Sequence, residues 1–326
     1  MHRRTDNGLT TYQFEKLAGQ GLVHAIFTRL GGTSQGPFAA LNVGRSVGDD
    51  PATVDANLAR IYASLDLAAE RVATAHQVHS NRVAVVTAQN GGQVIPATDA
   101  LVTDTPGLAL LLRYADCQPI LLYDPVHHAL GLVHAGWRGL AQGIARRAVE
   151  AMHEAFGSRP ADLIAGLGPA IGPCCYTVGD NVAAAMGYAL PDWQKVMEVD
   201  PAGQGWRLDL PAGNAQQLAA AGMQARKMEQ AGVCTSCRHE EFFSHRADNG
   251  QTGRFAVVAY LLERGGGSGA AGDHTFVPEA ESEGGAAYSA ELWDGVGSRP
   301  RQEEDTLEPP GLPRFDELLG RDACGN

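Results

Sequence analysis

Apolar residues along this chain fall in short blocks separated by polar breaks. Blocks at residues 22–28, 82–87, 100–102, 108–112, 119–123, 129–134, 163–167 and 254–262 have strand length. Several are apolar at successive rather than alternate positions, as in LALLL and ILLY. Such runs read as strands covered on both faces. Helical spacing occurs in three places. Val54, Leu58, Ile61 and Leu65 recur behind Asp50 and Pro51, an N-cap and a favoured first helical residue, which predicts a helix over 51–65. Leu140, Ile144, Ala148, Met152 and Phe156 predict one helix from near Gly139 to Gly157, and Leu210, Ala215, Leu218 and Met223 predict another over about 210–231. Strands outnumber helices and do not alternate regularly with them. That pattern predicts an α+β fold with a mixed sheet, not a doubly wound parallel one.

Chemistry enters where the apolar blocks are interrupted. Cys117 lies in the polar break 113–118, between two of the predicted buried strands. His134 closes the next apolar run and leads into Gly136, Trp137, Arg138 and Gly139. A thiol and an imidazole at the ends of neighbouring strands fit either a metal site or a Cys–His nucleophile pair. His76 and His79 precede another strand; three residues apart on a strand they point to opposite faces, so only one is expected at a site. One sulfur with two imidazoles is a borderline-soft ligand set suited to zinc, with copper as the alternative, and three protein ligands leave a coordination position open. Arg138, in a glycine-flanked loop ahead of a predicted helix N-terminus, is a candidate anion ligand.

Composition narrows the setting. The formal charge is −12, but residues 265–326 hold 13 acidic and 4 basic residues, which leaves −3 for residues 1–264. Neither part has the basic surface of a nucleic-acid binder. No apolar run approaches the ~18 residues of a membrane span. The N-terminal stretch has no continuous apolar core of the secretory type, which predicts a cytoplasmic protein with reduced thiols. Cys234 and Cys237 form a C-x-x-C, which alone is half a zinc site; no second pair stands at zinc-ribbon spacing. Beyond residue 264, Gly, Ser, Pro and Glu dominate and apolar residues are sparse. The expected division is one folded domain over 1–264 and a disordered acidic tail over 265–326.

Taken together, the strings TRLGGTSQGP, LNVGRSVGDDP, QVHS, TDALVT, ADCQPILLYDP, GLVHAGWRGL, GLGPAIGPCCY, CTSC and FFSHRADNGQTGRFA resemble the multicopper polyphenol oxidase/laccase-domain family. Its members are also called YfiH-like or peptidoglycan-editing-factor-like proteins. The resemblance covers most of residues 24–262. It implies a single-domain α/β sandwich of the YfiH-like type, unrelated to cupredoxin laccases. It also implies a zinc site made by His79, Cys117 and His134, and so selects His79 over His76. The implied activities are phosphorolysis of adenosine, inosine, guanosine and methylthioadenosine, with adenosine deamination, so purine nucleosides and phosphate are the expected small-molecule partners. With Arg138 added for phosphate, these four residues form the expected catalytic set. The alternatives are a Cys–His hydrolase editing serine-containing peptidoglycan precursors and, third, a single-copper polyphenol oxidase. Tyr114 departs from the family pattern directly before the ADC motif.

Overall fold

The computed structural model describes residues 1–264; the expected acidic tail, 265–326, lies outside the described residues. The chain opens with strands β1 (His2–Asp6), β2 (Leu9–Gln13) and β3 (Leu22–Phe27), then helix α1 (Pro51–Ser64). Four strands follow: β4 (Val72–Ala75), β5 (Val83–Val85), β6 (Val94–Ile95) and β7 (Ala100–Thr103). The long apolar blocks become β8 (Ala109–Tyr114), β9 (Gln118–Asp124) and β10 (Ala129–Ala135). Helices α2 (Trp137–Ala141) and α3 (Ile144–Phe156) lead to β11 (Ile164–Leu167) and β12 (Thr177–Val178). Helix α4 (Asp180–Ala189), β13 (Met197–Val199), β14 (Trp206–Leu208), α5 (Leu210–Ala220), β15 (Met228–Gln230) and β16 (Phe255–Leu261) complete the described fold.

The strands form a seven-stranded sheet, β1-β2-β3-β16-β8-β4-β6, and a six-stranded sheet, β15-β11-β9-β10-β7-β5. Both mix parallel and antiparallel pairs. A third sheet, β12-β14-β13, is small. Consecutive apolar positions on the central strands are explained by two packed faces. From β9, Leu121 and Tyr123 join the layer between the large sheets, whereas Ile120 and Leu122 face α3 and α5. From β8, Leu110 and Leu112 enter the inter-sheet layer, and Leu111 packs with Val54, Leu58 and Ile61 of α1. The order of layers is helix, sheet, sheet, helix: the mixed α+β sandwich expected. A satellite cluster joins α2 and α4 to the small sheet.

Two helix boundaries differ from expectation. The helix expected from Gly139 to Gly157 is two helices. Its apolar spacing continues through the join, but Gly143 takes φ +81°, a left-handed conformation open to glycine at little cost, and divides α2 from α3. Arg138 therefore sits inside a five-residue helix, not in a loop ahead of a long one. The helix expected over 210–231 stops at Ala220, and its last residues instead form β15, paired in parallel with β11. Met223, read as the last helical apolar residue, packs in the same layer as α3 from beyond the turn.

Candidate metal centre

The site lies at one end of the six-stranded sheet. Strands β5 and β7 run parallel, and β10 runs antiparallel to both β7 and β9. The starts of β5, β7 and β9 therefore meet the end of β10. Cys117 directly precedes β9. In the β9–β10 register His134 pairs with Pro119 and Ala135 with Gln118, so Cys117 falls beside the chain leaving β10. Strands β8 and β9 belong to different sheets, and the polar break between them carries the chain across the sandwich. His79 comes from the loop between β4 and β5.

Neither loop histidine is on a strand, so the alternation argument does not decide between them. His76 is exposed, whereas His79, with φ +60°, turns toward the cluster. The loop is pinned at both ends. The Gln77 side chain accepts from the Arg113 amide at 3.0 Å and donates to the Arg113 carbonyl at 2.8 Å, acting as an extra rung on β8. Asp99 holds the other end. It is fully buried and accepts from the amides of Val78, His79 and Ser80 and from the Ser80 hydroxyl, at 2.7–3.2 Å.

Asp99 also accepts from His134 Nδ1 at 3.0 Å, and the His134 amide donates to the Asp99 carbonyl at 2.7 Å. With Nδ1 committed to the carboxylate, Nε2 is the nitrogen left for a ligand. One ligand atom from each of His79, Cys117 and His134 lies within 4.8 Å of the others, and the two imidazole centroids are 5.0 Å apart. Tyr114 walls the site: its ring lies 5.5 Å from that of His134, and its buried hydroxyl donates to the Val133 carbonyl. Gly136 supplies the remaining clearance, because a Cβ there would stand 2.6 Å from Cys117 Sγ.

The electrostatics follow from this packing. Burial alone would push the Cys117 thiol up, but the His134 charge and hydrogen bonds from both histidines bring it down to about 6. Burial would likewise depress His134, yet Cys117 and Asp99 raise it to about 10. Without a metal the pair therefore favours thiolate and imidazolium. A dication would release the imidazolium proton and keep the thiolate, the state in which both are ligands. The donor set, one thiolate and two imidazoles with a carboxylate orienting one of them, fits zinc.

Arg138 is nearby in sequence, and its guanidinium stacks over the Trp137 ring at 4.5 Å. A five-residue helix contributes little dipole, so the anion reading rests on the guanidinium. A cavity of about 260 Å³ lies beside Gln118, Gly168, Gly172 and Cys174, and none of the three clustered ligands lines it.

Sequence reasoning missed Asp99, Gln77 and Asp116. Asp99 had a visible signal, a carboxylate placed directly before a fully buried strand in TDALVT. Asp116 accepts from the Thr235 hydroxyl at 2.6 Å and from the Arg246 amide at 2.7 Å, partners more than 100 residues away.

A two-sheet α+β sandwich with a Cys–His–His cluster at one sheet end is the class that fold and site define. A family model described as multi-copper polyphenol oxidoreductase laccase matches residues 23–262, and the chain belongs to that family. It is 40% identical over 251 residues to purine nucleoside phosphorylase YlmD of Geobacillus stearothermophilus, covering 75% of this chain and 91% of that protein. A purine nucleoside phosphorylase of Deinococcus radiodurans is 42% identical over 250 residues, covering 76% of this chain and 92% of the relative. The crystal structure of YlmD from Geobacillus stearothermophilus superposes with a TM-score of 0.76 at 38% identity, covering 80% of this chain and 98% of that one. Among the described residues, no helix is long and apolar enough to cross a membrane.

Proposed function

We propose that this chain is a zinc-dependent purine nucleoside phosphorylase, acting on adenosine, inosine, guanosine and methylthioadenosine, with adenosine deaminase activity. The observation that carries the reading is the convergence of His79, Cys117 and His134 on one point, in the fold of relatives named for that phosphorolysis. His79, Cys117 and His134 would hold the metal. When bound, zinc supplies Lewis acidity and lowers the pKa of water, the chemistry that deamination of a purine ring requires.

In phosphorolysis a phosphate oxygen bonds to C1′ of the ribose as the C1′–N9 bond breaks. The bonding pair leaves with the purine, which takes up a proton, and ribose 1-phosphate remains. Arg138 is the residue proposed for the phosphate, because its planar fork binds two oxygens at once. Asp99 keeps His134 in one tautomer and orientation. Tyr114 closes the wall behind that imidazole.

The test is incubation of the purified protein with adenosine, with and without phosphate. Adenine and ribose 1-phosphate appearing only with phosphate, inosine appearing without phosphate and inosine or hypoxanthine with it, and loss of both activities on zinc removal are expected. A zinc-loaded protein that turns over no purine nucleoside would sink the reading. One observation favours a second reading: the Cys117 thiolate beside the His134 imidazolium has the makings of a nucleophile and its proton donor. A Cys–His hydrolase acting on serine-containing peptidoglycan precursors would keep its activity after chelation, whereas the phosphorylase would not.

A further inference from the structure

The C-x-x-C of Cys234 and Cys237 lacked a second half in the sequence. The fold supplies it. Cys174 and Cys175, some sixty residues earlier, are brought against this pair, and the four sulfurs all lie within 4.8 Å of one another. Cys237 Sγ is 3.4 Å from both Cys174 Sγ and Cys175 Sγ. Four sulfurs bound tetrahedrally at ~2.3 Å to one ion stand roughly 3.8 Å apart, close to this spacing. None of the described cysteines is disulfide-bonded. A disulfide requires one sulfur to choose one partner at ~2.05 Å, and here Cys237 is equidistant from two.

The backbone prepares the arrangement before any ligand arrives. The Ala170 amide donates to the Val233 carbonyl and the Thr235 amide to the Ala170 carbonyl, so the two cysteine loops run side by side. The Gly172 amide donates to Cys234 Sγ at 3.3 Å, a contact that favours the thiolate. The Arg238 amide closes the C-x-x-C turn onto the Cys234 carbonyl.

We propose that Cys174, Cys175, Cys234 and Cys237 form a second metal site, a closed zinc tetrathiolate with a structural role. Four thiolates fill the tetrahedron and leave no position for substrate, which separates it from the open three-ligand centre. Binding releases the thiol protons to solvent and involves no change of oxidation state. Its position gives it a task. Thr235, inside the C-x-x-C, and Ile171, beside the Cys174 loop, both donate to Asp116, at 2.6 Å and 2.9 Å. Asp116 is adjacent to Cys117. The tetrathiolate thus ties together the two loops that clasp the residue next to the first centre.

The experiment is metal analysis of the full chain purified without chelator, with intact mass measured in parallel. The wild type should carry two zinc equivalents. Cys117→Ser should lose one and keep the other. Cys234→Ser combined with Cys237→Ser should lose the tetrathiolate equivalent. Because that variant can fail to fold, cobalt is loaded into Cys117→Ser, where the ligand-field spectrum of four thiolates should remain. Absence of metal from Cys117→Ser, iron in place of zinc, or an intact mass lowered by two hydrogens per disulfide would each overturn the proposal. None of these readouts depends on nucleoside turnover, so failure here and failure of the proposed activity are separate results.

Discussion

Gly136→Ala would place a Cβ 2.6 Å from Cys117 Sγ and 3.4 Å from His79 Cδ2. The backbone itself would not object. Gly136 has φ −86° and ψ 178°, ordinary extended values for alanine. The perturbation is therefore one of packing, chiefly against the Cys117 sulfur and less tightly against His79. Optimal non-bonded contact is ~3.5–4.0 Å, so the sulfur or the loop must retreat by roughly 1 Å. Metal–ligand bonds tolerate only about 0.2 Å, and a misplacement of ~1 Å in a catalytic group can cost ~10²-fold. Overpacking of this kind costs about 1–3 kcal/mol in stability. Zinc content, kcat/KM for adenosine and Tm should be measured together. The expected result is loss of one metal equivalent and most activity, with a folded protein. The control is Gly187→Ala in α4, where a new Cβ would meet only Trp193 Nε1 at 4.0 Å; it should be neutral or slightly stabilising. Full metal occupancy and full activity in Gly136→Ala would show that Cys117 is not a ligand in the working enzyme.

Four further variants have defined expected outcomes. Asp99→Asn should weaken metal binding or activity by about 10–100-fold, because His134 loses its orienting carboxylate. Despite its burial, hydrogen bonds from His134 and Ser80 and the His134 charge hold the Asp99 carboxyl down at about 2, against an ordinary 3.8. Its stabilising contribution is therefore complete above the unfolded value and is lost as pH falls toward 2; acid melts of Asp99→Asn should lack that part of the wild-type decline. Thr235→Val, nearly isosteric, leaves buried Asp116 short of a donor and should cost about 1–3 kcal/mol, read from denaturant melts. Arg138→Ala should raise the KM for phosphate far more than it lowers Tm, with partial rescue by Arg138→Lys and a smaller effect on deamination; equal loss of both activities would make Arg138 a structural residue. A chain ending at Arg264 should retain activity and Tm, since the family match ends at residue 262 and β16 at Leu261.

Local order was legible in the linear pattern because local physics sets it. Continuous apolar runs marked β8, β9 and β10 because both faces of those strands are covered. The Asp50–Pro51 start marked α1, whose N-cap carboxylate accepts from the Thr53 amide at 2.9 Å. Residue chemistry limited the ligands to soft and imidazole donors before any geometry was known. Boundaries set by tertiary contact were not legible. Helical spacing ran through Gly143 because residues on both sides of the break are buried, and Met228–Gln230 became a strand because β11 offered an edge. The choice of His79 over His76 turns on a left-handed backbone held by Asp99, twenty residues away. The pairing of Cys174 and Cys175 with Cys234 and Cys237 depends on two loops running side by side, Ala170 against Cys234. Sequence spacing measures distance along the chain, and the sheets cancel that distance. Only where strand ends meet across the sandwich do a carboxylate, a thiol and two imidazoles become one site.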